Sequence, residues 1–221
     1  MPREHFAKSP NLHLTRVLAS GGFGYLLGTL PSGEIVSRVA TGRTVDLRSE
    51  GSGNPGGVNA MRVLGRRLGK AVLAADIAKG FVACIAGRAL AGGTGGHVAG
   101  VAAVAGHCYP IAKAFRGGKG VATSFGQCLA TFPVYAPVDV ALAMGIARLP
   151  VKRPALVSVA ASSTAWVLAS ILWWRRRLPN LWGPPPTFTL PLANAATTLI
   201  IASRAVPHVR RGEPDELALP R

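Results

Sequence analysis

Two glycine-rich segments carry the residue types that could bind phosphate groups. The first, residues 49–69, reads SEGSGNPGGVNAMRVLGRRLG, and the second, residues 105–126, reads AGHCYPIAKAFRGGKGVATSFG. Glycine lets the backbone adopt positive φ, and consecutive backbone N–H groups can then form a concave site for an anion. Both segments also contain fixed cations, which favour phosphate. The pattern predicts two loops that hold phosphate-bearing ligands.

Three basic side chains are placed to complete these loops. Arg62 and Arg66 are four residues apart, which would put them on one face of a helix. Lys119 lies between Gly118 and Gly120. Such arginines are also typical of lipid headgroup contacts, and a Gly-Asn-Pro-Gly run alone is usually a turn. The occurrence of both loops in one chain favours the binding role.

Neither loop fits a nucleotide-binding fold. Residues 51–56 have the spacing GxGxxG, but the preceding TVDLRSE is not a buried strand, and the acidic Asp76 that follows lies in an apolar helical run. A P-loop around Lys119 fails because Lys113 stands in place of the first glycine and Gly120 in place of the Ser or Thr.

The composition places these loops in a membrane protein. Of the 221 residues, 49% are hydrophobic, yet 25 Lys and Arg stand against 9 Asp and Glu, a net charge of +16. The mean hydropathy is +0.32. A soluble nucleic-acid-binding protein would carry such a charge on an otherwise polar surface. A polytopic membrane protein with basic loops fits both facts, and no nucleic-acid partner is expected.

The sequence indicates no metal or cofactor site. Cys84, Cys108 and Cys128 are too widely spaced for a CxxC site, and each lies in an apolar stretch. They are predicted to be small core residues. His107 adjoins an apolar run, which is typical of a hydrogen-bonded residue at a helix end, with substrate binding as the alternative.

The apolar stretches predict an all-α membrane bundle of about seven helices. Residues 155–174 and 187–203 are free of charged residues and close to the length of about 20 that a span needs. Residues 121–147 could form two short helices or one helix kinked at proline. The remaining stretches, each interrupted by polar residues, are 17–39, 71–86 and 98–112. The resulting organisation is an N-terminal tail of residues 1–16, one membrane domain of residues 17–203 and a C-terminal tail of residues 204–221.

Two features of the charge distribution bear on this bundle. Asp76 and Lys79 are three residues apart in an apolar run, so they can neutralise each other on one helix face; a role in the site is the alternative. If the loop of residues 38–70 is cytoplasmic, 17 of the 25 basic residues lie inside and 7 outside. This bias predicts an outer N-terminus and an inner C-terminus. The cluster at residues 175–177, all arginine, falls outside and does not fit the trend.

Four segments together resemble a known family. GYLLGTLPSGEIVSR, GSGNPGGVNAMRVLGRRLGK, DIAKG and GHCYPIAKAFRGGKGVAT follow one another between residues 24 and 123. They are similar to successive signatures of the bacterial acyl-phosphate:glycerol-3-phosphate acyltransferases, which are seven-helix enzymes of the inner membrane. In that family both loops lie on the cytoplasmic side, which is the side that the charge distribution selects.

The resemblance implies transfer of an acyl group from acyl phosphate to the 1-hydroxyl of glycerol 3-phosphate, giving lysophosphatidic acid. This is the first step of phospholipid synthesis and needs no metal or cofactor. The protein has to hold two anions together, orient a hydroxyl group and stabilise an oxyanion. The expected partners are the two substrates, the lipid bilayer and the enzyme that produces acyl phosphate.

The same resemblance, combined with the local chemistry of the loops, assigns the site. Asparagine amides and backbone N–H groups can donate to an oxyanion without being ionised, and phosphate is a good leaving group, so a catalytic dyad is not required. The expected catalytic residues are Ser52, Asn54, Asn59 and Lys119. The expected substrate-binding residues are Gly53, Gly56, Arg62, Arg66, His107, Gly117, Gly118, Gly120 and Arg204.

The C-terminal part departs from the family pattern. Where the family has a histidine and, three residues on, an asparagine, this chain has Ser203 and Val206, with His208 displaced. Val58 replaces a usual threonine, and Ser158 is the nearest match to an expected serine. The alternative function is therefore a catalytically degenerate relative that acts as a membrane scaffold or a small transporter.

Overall fold

The fold is a bundle of helices, seen in a computed structural model that describes residues 10–146 and 148–210. Within those residues there are eight α-helices, two short 3-10 helices and no strand. The α-helices are α1 (Pro10–Gly28), α2 (Ser32–Thr41), α3 (Gly57–Val63), α4 (Arg66–Cys108), α5 (Val121–Thr131), α6 (Ala136–Ile146), α7 (Pro154–Arg176) and α8 (Thr189–Arg210). The 3-10 helices are Ile111–Lys113 and Pro133–Tyr135.

Helix α4 is the centre of the bundle and is bent back on itself. Ala91 and Gly92 have non-helical φ and ψ, and Gly92, at φ 66° and ψ −159°, occupies a region that is essentially restricted to glycine. The segments before and after this break pack so closely that a Cβ on Gly87 would overlap the carbonyl oxygen of Gly95. Two of the predicted apolar stretches thus form the two arms of one hairpin.

Helix α1 packs against the second arm of α4 with almost no gap. A Cβ on Gly24 would overlap the carbonyl oxygen of Ala99, and one on Gly28 would overlap that of Ala103. Small residues at such positions let two helix backbones approach closely, which is the usual way to join helices in a membrane. The helix begins at Pro10, earlier than the expected start of the apolar run at residue 17. Because Pro31 separates α1 from α2, residues 17–39 form parts of two helices.

Helices α5 and α6 confirm that residues 121–147 divide in two. Their axes are bent by 117° at the break around Pro133. Each has 11 residues, or about 16 Å at the rise of an α-helix, and is shorter than the apolar layer of a bilayer, which is about 30 Å thick.

The outer surface of the bundle is apolar. Among the described residues, α7 is the one unbroken helix that is long and apolar enough to cross a membrane, and the bent pair α5 and α6 passes the same test together. Only 22% of the apolar window of α7 is buried. Leu168, Leu192 and Leu199 are each more than 60% exposed. Such a surface is suited to contact with lipid. The three cysteines are buried, as the sequence predicts.

The helices connect two ends of different character. The loop end contains the segments of residues 29–34, 42–56 and 109–120, and it also contains Arg204 of α8, which donates to the carbonyl of Gly117. The arginine end, at the opposite tips of α4, α5 and α7, contains Arg88, residues 175–177 and the loop of residues 178–188. There Arg88 donates to the carbonyl of Trp182.

Candidate active site

The first glycine-rich loop is held in shape by Asn59, whose side chain is 1% exposed. Its Oδ1 accepts from the Ser52 N–H at 2.9 Å, and its Nδ2 donates to the carbonyls of Leu47 at 3.1 Å and Glu50 at 2.9 Å. Both amide hydrogens are therefore used within the loop. This corrects the expectation that Asn59 donates to an oxyanion, because its amide is already committed to the backbone.

The second glycine-rich loop folds back onto the end of α4. The N–H groups of Gly117 and Gly118 donate to the carbonyls of Cys108 and His107 at 3.2 and 3.0 Å. A Cβ on Gly118 would overlap the ring of His107. These two N–H groups thus close the turn and do not form the anion-binding nest that the sequence suggested, whereas the absence of side chains lets the loop lie on the histidine.

Arg204 fixes this second loop from the neighbouring helix. Its guanidinium donates to the carbonyl of Gly117 at 2.8 Å and, more weakly, to that of Gly118 at 3.3 Å. It also lies over the Tyr109 ring at 5.3 Å. Expected as a substrate-binding residue, Arg204 directs two of its N–H groups into the protein and acts as a support for the loop.

A buried charged cluster lies between the two loops. Lys79 Nζ is 2.9 Å from Asp76 Oδ1, and the two side chains are 6% and 2% exposed. Ser32 donates to the same carboxylate oxygen at 2.8 Å, and His107 Nδ1 lies 3.5 Å from it. Lys79 also donates to the carbonyl of Leu30 at 3.2 Å. The predicted pairing of Asp76 with Lys79 is confirmed.

A second ionic cluster ties the two loops to each other through Glu34. One carboxylate oxygen is 2.7 Å from Arg48 in the first loop segment, and the other is 2.9 Å from Lys113 in the second. Arg48 also donates to the carbonyl of Arg116 at 2.6 Å. Burial alone would raise the pKa of Asp46, but the hydrogen bonds and charge of Arg48 outweigh it and hold the pKa below its ordinary value.

Two cavities meet at the buried charged cluster. The smaller, about 20 Å³, has room for roughly one water and is lined by polar groups of Ser32, Glu34, Arg48 and Lys79, among others. The larger, about 840 Å³, extends between α5, α6 and α7. Asp76 and His107 line both cavities, and they mark the junction where a charged pocket opens into a long apolar space.

The larger cavity has one polar mouth and a mainly apolar body. The body is lined by side chains such as Phe125, Val140, Met144 and Trp166. The residues predicted from sequence that line the mouth are Asn54, Gly56, His107, Lys119 and Gly120. Lys119 is 8% exposed, so its charge is held at the cavity and not in solvent. Both glycine-rich loops thus contribute to one opening.

Other residues predicted from sequence lie outside the linings described for these two cavities, although Gly118 lines the smaller one. These residues are Ser52, Gly53, Asn59, Arg62, Arg66, Gly117 and Arg204. The Ser52 hydroxyl is buried and has no hydrogen-bond partner within residues 10–146 and 148–210.

The prediction that Arg62 and Arg66 share a helix face is wrong. Helix α3 ends at Val63, and α4 begins at Arg66. Gly65, with φ 86°, separates them, so helical spacing does not apply across the break. Both arginines are exposed at the loop end.

The residues that sequence reasoning missed are those that connect the loops, above all Glu34, Arg48 and Ser32. Glu34 was treated as an interruption of an apolar stretch. An ionisable residue in such a stretch is costly unless it is paired, and that cost was the available signal. Its partners, far away in sequence, carry no comparable signal.

The altered C-terminal positions also have defined surroundings. Ser203 exchanges a 2.6 Å hydrogen bond with the Tyr109 hydroxyl, and Val206 is 44% exposed. Ser158 is 8% exposed and lines the larger cavity. The side chain of His208, the tail after residue 210 and the first nine residues lie outside the described part of the chain.

Comparison with known proteins identifies the family. The profile of the glycerol-3-phosphate acyltransferases matches residues 18–211. The chain belongs to this family. A glycerol-3-phosphate acyltransferase of Thermoanaerobacter pseudethanolicus is 35% identical over 161 residues, which are 73% of this chain and 77% of the relative. One from Exiguobacterium sibiricum is 46% identical over 111 residues, 50% of this chain and 53% of the relative.

Solved structures of this glycerol-3-phosphate acyltransferase family have the same fold. The glycerol 3-phosphate form of PlsY (YgiH), an integral membrane glycerol 3-phosphate acyltransferase, superposes with a TM-score of 0.68 at 27% identity, over 90% of this chain and 94% of that one. The lysophosphatidic acid form gives 0.65 at 28% identity, over 90% and 93%. The resemblance inferred from the motifs is confirmed, and so is an all-α membrane protein.

Proposed function

We propose that this protein transfers an acyl group from acyl phosphate to the 1-hydroxyl of glycerol 3-phosphate and so produces lysophosphatidic acid, the first step of phospholipid synthesis. Family membership supports the reaction class. The observation that carries the proposal is the 840 Å³ cavity, whose apolar body ends at a mouth formed by both glycine-rich loops and Lys119. A cavity of this kind suits a ligand with a long apolar chain and an anionic head.

The donor fits this cavity in one direction. Its acyl chain lies among apolar side chains such as Phe125 and Trp166, where burial removes it from water. Its phosphate lies at the mouth, where the buried ammonium group of Lys119 balances the negative charge. The acyl carbonyl is then held next to the first loop, at Asn54 and Gly56.

The reaction itself needs little from the protein beyond this placement. The glycerol oxygen forms a bond to the acyl carbonyl carbon, the bond from that carbon to the phosphate oxygen breaks, and the hydroxyl proton ends on the released phosphate. Asn54 Oδ1 accepts from the Gly56 N–H at 3.2 Å, which orients the amide so that Nδ2 is the donor to the developing oxyanion. Ser52 and Gly53 shape the loop that carries Asn54.

The acceptor approaches from the loop end. Arg62 and Arg66 are exposed there, and their charges attract the dianionic glycerol 3-phosphate toward the mouth. The buried cluster of Asp76, Lys79 and His107 lies at the inner side of this mouth and fixes the polar wall against which the acceptor is positioned. Asn59, Gly117, Gly118, Gly120 and Arg204 keep the two loops in place.

The same proposal includes a location and an orientation. Counting the two arms of α4 separately, seven membrane helices alternate in direction: α1, the two arms, α5, α6, α7 and α8. This arrangement and the charge bias support an outer N-terminus, an inner C-terminus and a cytoplasmic loop end in the bacterial inner membrane. There the enzyme that produces acyl phosphate can deliver the donor directly.

The orientation is tested by labelling introduced cysteines, because the three native cysteines are buried. Lys152→Cys lies in the exposed segment before α7, and Pro185→Cys lies in the exposed segment before α8. A membrane-impermeant maleimide added to intact spheroplasts should label the second and spare the first. The reverse result would overturn the orientation.

The reaction is tested with purified protein in detergent. Acyl phosphate and glycerol 3-phosphate should give lysophosphatidic acid, whereas acyl-CoA should not replace the donor. Lys119→Ala should reduce the rate by roughly a hundredfold or more, as expected for removal of one charged stabilising group, and exposed Lys152→Ala is the matched control. Folded wild-type protein that yields no product would instead support the degenerate membrane protein.

A further inference from the structure

The arginine end carries a concentration of exposed positive charge that the proposed reaction does not use. Arg88 and the arginines at residues 175–177 are all exposed. The segments that build this end, residues 80–138 and 154–210, contain no Asp or Glu. They therefore supply no carboxylate that could neutralise these guanidinium groups.

This surface is fixed in shape by the loop of residues 178–188. Arg88 donates to the carbonyl of Trp182 at 2.6 Å, and the Trp182 indole N–H donates to the carbonyl of Leu129 at 2.8 Å. Asn180, which is 6% exposed, donates to the carbonyl of Thr131 at 2.9 Å. The loop is thus tied across the tips of α4 and α5, and the arginine end is an ordered platform.

Aromatic side chains accompany the arginines. Arg175 lies over the Trp174 ring at 5.2 Å, and Trp182 is 58% exposed. Three of the four tryptophans in the chain, at residues 173, 174 and 182, are at this end. Tryptophan is enriched at the depth of lipid headgroups, where its ring contacts acyl chains and its N–H reaches polar groups.

Arg177 adds a separate indication that the charge has a use. It ends α7 in a left-handed conformation, with φ 50° and ψ 42°, and its N–H donates back to the carbonyls of Trp173 and Trp174. Glycine is the usual residue at such a position because it has no Cβ penalty. An arginine here accepts some backbone strain and presents a third consecutive guanidinium group.

We propose that the arginine end binds the headgroups of anionic phospholipids in the leaflet opposite the loop end. Guanidinium groups match phosphate oxygens with paired hydrogen bonds, and each basic residue near an anionic membrane surface adds about 1 kcal/mol of attraction, or roughly fivefold in affinity. The helix tip, the exposed tryptophan and the absence of local carboxylates in these segments all place that charge at headgroup depth. The cluster that runs against the overall charge bias is then a lipid contact.

The test uses the tryptophans as reporters. Wild-type protein in detergent is titrated with phosphatidylglycerol and, separately, with phosphatidylcholine, both carrying the same brominated acyl chains that quench tryptophan fluorescence. Phosphatidylglycerol should quench at a concentration roughly tenfold lower. The triple variant Arg175→Gln, Arg176→Gln, Arg177→Gln should lose this preference and keep its helical circular dichroism.

A variant with the same loss of charge at the loop end is the control. Arg38, Arg43 and Lys152 are exposed, and their replacement by glutamine should leave the preference intact. Inorganic phosphate at equal concentration should not displace the lipid, since displacement would assign the site to a small free anion. Equal quenching by both lipids, or a preference that survives the triple variant, would overturn the proposal.

Discussion

The two ends of the molecule use the same residue types in opposite ways. At the loop end, Arg48, Lys79 and Lys113 each lie within 3.0 Å of a carboxylate oxygen. At the arginine end, the surrounding segments provide no carboxylate, and the four arginines stay exposed. Pairing immobilises the first set, so it shapes a site, whereas exposure leaves the second set available to an external anion.

The difference shows that basic residues in this protein cannot be interpreted by type alone. Arg204 and Arg88 both donate to backbone carbonyls across the bundle, but Arg204 supports a loop at the cavity mouth and Arg88 supports a lipid-facing platform. Burial decides between the roles. A charge removed from water must be satisfied by the protein, and its loss is therefore costly.

The largest contrast between the two ends should appear on removal of Lys79. Lys79→Ala leaves the Asp76 carboxylate buried without its cation, and we expect a loss of about 3–5 kcal/mol in stability. Thermal unfolding in detergent measures it. Arg175→Ala, at the arginine end, should change stability by no more than about 0.5 kcal/mol. Equal losses in both variants would remove the distinction between the ends.

A smaller effect is expected for Asn59→Ala at the first loop. Three backbone groups lose their partner, those of Ser52, Leu47 and Glu50, and an unsatisfied buried polar group costs about 1–3 kcal/mol. Activity should fall together with thermal stability, because the loop loses its shape. Asn54→Ala, the control, should lower kcat with little change in melting temperature. Loss of activity at unchanged stability in Asn59→Ala would restore it as an oxyanion donor.

Glu34→Gln should separate coordination of the loops from stability of the bundle. The neutral amide keeps the shape but weakens the bonds to Arg48 and Lys113, which are partly exposed, so stability should fall by about 1 kcal/mol. We expect a drop in kcat/KM of roughly tenfold, since both loops form the mouth. The control is Glu50→Gln at an exposed position. An unchanged kcat/KM would show that the loops hold their positions without Glu34.

The smallest effect concerns acid sensitivity at the loop end. The pKa of Asp46 is lower in the folded protein than its ordinary value of 3.8, so the folded state favours the ionised carboxylate. This stabilisation is present above the ordinary pKa and is lost as the pH falls through the lowered one. Wild-type protein should therefore lose its advantage over Asp46→Asn, at most about 0.5 kcal/mol, between about pH 5 and pH 3. Melting temperatures across this range measure it, and a gap that widens toward low pH would contradict the assignment.

Much of the fold could be predicted because membrane helices announce themselves locally. The division of residues 121–147 followed from the prolines, and the hairpin of α4 from two separated apolar stretches. The start of α1 was missed because residues 10–16 are polar enough to read as a tail. A helix can extend beyond its apolar stretch, so hydropathy does not define its ends.

Less of the site could be predicted, because its contacts join distant parts of the chain. Lys119 was identified from its glycine neighbours, and it does line the cavity. Glu34 was overlooked because nothing near it in sequence indicates Arg48 or Lys113 as partners. The error at Arg62 and Arg66 came from applying helical spacing across Gly65, whose positive φ ends one helix before the next begins.

The sequence by itself determined the class of protein, the family and the two loops, because these depend on composition and on residues close together in the chain. Tertiary structure alone decided that Asn59 and Arg204 support the loops, that Glu34 joins them, and that the loops open into one apolar cavity. It also placed Arg88 beside the loop that follows Arg177. These facts depend on which backbone groups and charges become buried together, and burial is a property of the packed bundle.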